Sequence, residues 1–131
     1  MSVFKTDKKG VKRWYAKGKL HREDGPAVES PYGHKEWYKN GMRHREDGPA
    51  VEYTDGINAW WLNDNRHRID GPALEYRDGT KYWFKNGKLH REGGPAVEHI
   101  YGRIEWWING KQYTEDEFIL YQFTNGATMN D

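Results

Sequence analysis

The apolar positions of this chain fall in short segments rich in Val, Tyr and Trp, each bounded by turn residues. An aromatic pair recurs in them: Trp14-Tyr15, Trp37-Tyr38, Trp60-Trp61, Trp83-Phe84 and Trp106-Trp107. Just after each pair comes a turn signal, at Lys17-Gly18, Asn40-Gly41, Asn63-Asp64, Asn86-Gly87 and Asn109-Gly110. Asn-Gly between β-type segments is the strongest short hairpin signal, because a type I′ turn needs positive φ at both central residues. A second reversal follows at Gly33, Asp55-Gly56, Asp78-Gly79 and Gly102. Segments this short, β-branched and aromatic predict strands, not helices.

The hairpins are copies of one unit. HREDGPA occupies 21–27 and 44–50, HRIDGPA 67–73 and HREGGPA 90–96, a constant period of 23 residues. A fixed period of this size signals a stacked repeat architecture. The predicted fold is therefore all-β: an elongated, twisted antiparallel sheet of consecutive β-hairpin repeats with a short C-terminal capping helix. Pro26, Pro49, Pro72 and Pro95 lack the N–H a ladder needs, so each should start a strand or lie at an edge. The Gly before each avoids the restriction that a bulkier residue would feel.

Register follows if each turn has two residues. Val51 then lies opposite Trp60, and Trp60 opposite His67. The rows Lys5–Trp14–His21, Val28–Trp37–His44, Leu74–Trp83–His90 and Val97–Trp106–Tyr113 are equivalent. On the other face Ala50 meets Trp61 and Ala73 meets Phe84. The first Trp row, flanked by aliphatic and His rows, is the expected spine.

One domain is expected over 1–131, with a cap strand in 1–9, repeats in 10–112 and a helical cap and tail in 113–131. Lysines around the first strand discourage edge pairing. Thr114-Glu115-Asp116-Glu117 reads as a capping box. Phe118, Ile119, Leu120, Tyr121 and Phe123 fit an amphipathic helix over the last repeat, and 125–131 reads as a frayed end.

Composition narrows the class. A mean hydropathy of −1.17 could signal disorder. Seven Trp and nine Tyr argue for a packed structure instead. A net charge of +1, from 21 basic and 20 acidic residues, gives no footprint for nucleic acid or an anionic membrane. There is no cysteine for a disulfide or thiolate site. The start MSVFKTDKKG has no apolar core of a signal segment, and no apolar run reaches a membrane span, so a cytoplasmic protein is expected.

Candidate chemistry is sparse. Histidines in successive repeats stand ~10 Å or more apart, given two strands per repeat at ~4.8 Å. One Zn²⁺ needs ligands at ~2.0–2.1 Å, so no metal site is expected. These histidines should pack on Trp and bond the Asp-Gly-Pro turn. Arg22, Arg45, Arg68 and Arg91 form a row that is either a solvated face or a phosphate ladder. In the assumed register Arg45 faces Glu36, which in turn faces Glu29. Arg91 faces Tyr82, and Arg68 has no acid across the ladder. No phosphate loop, nucleophile elbow or metalloprotease helix occurs, so no catalytic residue and no cofactor is expected. Function is sought where units differ, at Ser30-Pro31-Tyr32, Tyr53-Thr54, Asn63-Asp64-Asn65, Tyr76-Arg77 and His99-Ile100-Tyr101. It is also sought on the second aromatic row, Tyr15, Tyr38, Trp61, Phe84 and Trp107. An exposed apolar stripe of that kind marks a binding surface; packed under the turns, it is core.

The unit W-Y-x-N-G-K-L-H-R-E-D-G-P-A-V-E-x-x-x-G, as at 37–56 and 83–102, resembles divergent MORN-type repeats of phage, giant-virus and bacterial proteins. It also resembles MORN-repeat-variant proteins described as antitoxin components. The likeness covers about 10–112, and the ending N-G-K-Q-Y-T-E-D-E-F is similar to that of such viral proteins. It implies consecutive β-hairpins. Standard MORN units carry Gly-x-Gly after the histidine, where this chain has Arg-Glu-Asp-Gly-Pro, so the lipid binding attributed to some MORN proteins is not carried over.

The expected function is that of a non-enzymatic protein-binding module. The resemblance makes the partner a host defence or toxin protein, inhibited by occlusion in a host cytoplasm. Expected binding residues are Tyr15, Tyr38, Trp61, Phe84 and Trp107 with Arg45, Arg68 and Arg91. The alternative is sequestration of a small anionic ligand such as a signalling nucleotide, its base on the rings and its phosphate on the Arg row.

Overall fold

The structure is a computed structural model and describes residues 3–125. The chain forms a large antiparallel sheet of consecutive hairpins, not closed into a barrel, with one C-terminal helix. The expected tail lies outside the described residues, apart from Asn125, which ends that helix. In the three central units the chain leaves the sheet through a tight hairpin, such as Trp61–Leu62 with Asn65–Arg66, and returns after the Gly-Pro bend. The returning strand, such as Leu74–Glu75, pairs with the preceding unit on one side and its own unit on the other.

The hairpin turns after the aromatic pairs are type I′, with positive φ at both residues. Values run from 52° and 78° at Lys17-Gly18 to 48° and 80° at Asn109-Gly110. Trp60 therefore lies opposite His67, whose N–H donates to the Trp60 carbonyl at 3.1 Å.

The other turns correct the expected register. Each has three residues, not two. Tyr53 N–H donates to the Ile57 carbonyl at 3.0 Å, and Gly56 at φ 88° supplies the left-handed residue of a bulged three-residue loop. That one extra residue slides every pairing by one. Val51 faces Ala59 rather than Trp60, Val28 faces Glu36, Leu74 faces Tyr82, Val97 faces Glu105 and Lys5 faces Arg13. Because side chains alternate with period two, the slip moves the aliphatic row to the opposite face from the first Trp row. Ala50 and Ala73 accordingly do not meet Trp61 and Phe84. Their carbonyls accept the N–H groups of Trp37 and Trp60.

Each face thus carries one aromatic row. On the first, Val51, Ala59 and Leu74 form a buried cluster covered by Ile57, Trp61, Tyr82 and Phe84. On the second stand Trp14, Trp37, Trp60 and Trp83, each capped by an arginine whose guanidinium carbon lies 3.8–4.0 Å from the ring centroid.

Histidine ties one unit to the next. Nδ1 of His21, His44, His67 and His90 accepts the N–H of Asn40, Asn63, Asn86 and Asn109 at 2.9–3.2 Å. That role requires an unprotonated Nδ1. Burial pushes the His90 pKa below 6.5, outweighing the nearby Glu92, and Lys85 pushes the same way. As pH falls below 6.5 the unfolded chain takes up this proton before the folded one, so the folded state loses stability. The urea midpoint should drop between pH 7.5 and pH 5, and by less in His90→Asn. An equal drop in both proteins would remove His90 as the cause.

The helix α1 (Glu115–Asn125) starts as expected: Thr114 and Glu117 exchange backbone-to-side-chain bonds at 2.8 and 3.1 Å. Phe118 is buried against Trp106, with ring centroids 6.5 Å apart, and Tyr121 meets Tyr113 edge-on.

Candidate functional site

The arginine row and the second aromatic row lie on opposite faces, so the structure does not bring the expected binding residues together. Arg45, Arg68 and Arg91 belong with Arg22 to the first Trp row, and their contacts are internal. Arg68 stacks on Trp60, donates from Nε to Asp70 at 3.2 Å, and from a terminal nitrogen to the Pro72 carbonyl at 3.1 Å and Glu75 at 2.9 Å. Arg22 and Arg45 repeat the set. Arg91 lacks the aspartate, since Gly93 stands there, and keeps Trp83, the Pro95 carbonyl and Glu98. Arg68 therefore does have acid partners, and Glu29 faces Lys35 rather than Glu36. A Cβ on Gly48 or Gly71 would sit 2.7 Å from the guanidinium carbon of Arg45 or Arg68. The glycine of Asp-Gly-Pro thus makes room for the arginine.

The second aromatic row forms the other face. Tyr15, Tyr38, Trp61, Phe84 and Trp107 are all half-buried. Their hairpin partners are Leu20, Arg43, Arg66, Leu89 and Gln112. At its centre the row becomes a cation–aromatic ladder. Arg43 lies 5.6 Å from the Tyr38 centroid and 5.2 Å from Trp61; Arg66 lies 5.3 Å from Trp61 and 5.5 Å from Phe84. Tyr53 and Tyr76, 44% and 37% exposed, border the same region.

Electrostatics differ along the row. Glu36 accepts hydrogen bonds from the Tyr38 hydroxyl at 2.8 Å and is bonded to His34 Nε2 at 2.7 Å; Arg43 Nε lies 3.6 Å away. Burial alone would raise the Glu36 pKa, but these partners together hold it below its usual value. Burial, then the bond to Glu36, pushes the Tyr38 phenol up to about 12.

No protein family, no curated protein and no solved structure matches the chain. Among the described residues no three His, Cys, Asp or Glu side chains cluster as a metal site would need. Among them, too, no helix is long and apolar enough to cross a membrane.

Sequence reasoning passed over Arg43 and Arg66. Their signal was available: the other units carry Leu20, Leu89 and Gln112 at the same position, so the cations are departures from the repeat. Tyr53 and Tyr76 were legible as such departures.

Proposed function

We propose that this chain is a non-enzymatic binding module that docks on another protein through the face bearing Tyr38, Trp61 and Phe84. The observation that carries the reading is the asymmetry of the two faces. One engages its arginines with its own carbonyls and carboxylates; the other sets Arg43 and Arg66 among half-buried rings with Tyr53 and Tyr76 exposed beside them. Tyr, Trp and Arg are the residues that most often anchor protein interfaces. The resemblance to MORN-type phage proteins supports a host defence or toxin protein as partner, blocked by occlusion inside the host cell.

The test is affinity capture with three baits. Wild type should retain a partner. Tyr53→Asp with Tyr76→Asp should lose it, because both rings are exposed and their replacement spares the core. Lys35→Glu with Lys81→Glu, on the opposite face, should keep it. A partner held equally by the tyrosine variant, or lost only by the lysine variant, places docking elsewhere.

A further inference from the structure

Two arginines on the docking face differ from every arginine of the repeat motif. Among the described residues, neither the Arg43 nor the Arg66 guanidinium makes a hydrogen bond to protein, whereas Arg22, Arg45 and Arg68 each make three. Arg43 Nε and Arg66 Nε are shut off from solvent without an acceptor, and so is the indole Nε1 of Trp61 between them. Buried donors are ordinarily bonded, so three orphans within one cluster call for an explanation. All three are N–H groups, and what they lack is oxygen acceptors.

The cluster has room beside it. A groove of about 380 Å³ opens between Arg43 and Arg66, floored by Ile57, Ala59 and Leu74, with Trp61, Tyr53 and Tyr76 as walls. This lies at the small end of ligand pockets, roughly 300–1,000 Å³. Its charge is positive. Arg43 has Glu36 at 3.6 Å, a carboxylate already bonded to His34 and Tyr38, and Arg66 has no carboxylate within salt-bridge distance among the described residues.

Nor does the fold need these cations. Leu20 and Leu89 fill the same hairpin position opposite Tyr15 and Phe84. An arginine there brings a charge that the hairpin can do without.

We propose that this groove binds a small phosphorylated molecule carrying a flat ring, a nucleotide by chemical class. The phosphate oxygens would take the terminal N–H groups of Arg43 and Arg66, which, unlike the two Nε atoms and the Trp61 indole beside them, are neither bonded to protein nor shut off from solvent. The ring would lie against Tyr53 or Tyr76 over the apolar floor. The site lies within the proposed docking face and shares its residues, but the ligand is held by this chain alone, so its binding is tested without any protein partner. It also differs from a phosphate ladder on Arg45, Arg68 and Arg91, whose donors are already engaged.

The experiment is an NMR titration of the protein with adenosine monophosphate, inorganic phosphate, adenosine and a tetraglutamate peptide in turn. The Trp61 indole signal is assigned by Trp61→Phe. The nucleotide should shift that signal and the Arg43 and Arg66 Nε–H signals, with inorganic phosphate weaker and adenosine weaker still. Arg66→Leu and Arg43→Leu, each placing the leucine of a neighbouring repeat at this position and expected to fold, should weaken nucleotide binding by about tenfold or more. Arg66→Lys should recover part of the loss, and Lys81→Gln on the opposite face should change nothing. Any of three results overturns the proposal: no shift at Trp61 with the nucleotide, equal shifts with adenosine, or unchanged binding in both folded leucine variants. Tighter binding of the acidic peptide than of the nucleotide would also overturn it, leaving the groove to protein docking alone.

Discussion

Trp60→Ala is expected to lower the unfolding free energy by about 3 kcal/mol, the low end for removing a large aromatic side chain. The ring is half-buried, and so falls short of the cost at a sealed site. Its loss removes the platform under Arg68, whose guanidinium carbon sits 4.0 Å from the ring centroid. It also opens space next to the fully buried Ala73, whose carbonyl accepts the Trp60 N–H. Each unit of a repeat array contacts only its neighbours, so a central defect should uncouple the halves more than the same change at Trp14. Urea denaturation of the two variants checks both statements; equal losses at Trp14 and Trp60 would argue against nearest-neighbour coupling.

The second large effect is at Arg68. Arg68→Ala is expected to cost about 2 kcal/mol, because a stacked, partly desolvated cation–aromatic pair and a charged hydrogen bond are lost together. The side chain is only 20% exposed, so solvent does not screen these contacts fully. The Asp70 pair contributes little, since that carboxylate is 84% exposed. The loss falls mainly on the stack, the Pro72 carbonyl and Glu75. Arg68→Lys keeps the charge but has neither the flat face nor the fork, and should recover less than half of the stability. Full recovery by lysine would mean that charge alone matters there.

Both predictions concern a motif whose meaning the sequence yields only in part. The period, the type I′ turns at Asn-Gly and the capping box at Thr114 were legible because each rests on residues close together in the chain. The three-residue turns were not. Asp55-Gly56 is compatible with a two-residue or a three-residue loop, and only cross-strand pairing of Tyr53 with Ile57 distinguishes them. That single residue reassigned the aliphatic row from one face to the other.

The arginine row was obscured for a related reason. Its acceptors lie two, four and seven residues along the chain, and only the Asp-Gly-Pro bend brings them round one guanidinium. No strand register places them there. The same geometry explains why the expected binding set divides. Tyr38, Trp61 and Phe84 face the open side, while Arg45, Arg68 and Arg91 brace the other. Trp61 and Phe84 also cover the Val51–Ala59–Leu74 cluster, so truncating either should cost stability as well as binding. Tyr53 and Tyr76 are cleaner probes of docking for that reason.

One face acts as an internal brace, its arginines stacked on Trp and bonded to the chain's own carbonyls and carboxylates. A double-mutant cycle between Trp60 and Arg68, read by urea denaturation of wild type, Trp60→Ala, Arg68→Ala and the double variant, measures that brace directly. A coupling energy of about 1–2 kcal/mol is expected for groups in direct contact. Losses that add to within about 0.3 kcal/mol would show the stack to be energetically idle, and the division of labour between the faces would then have no support.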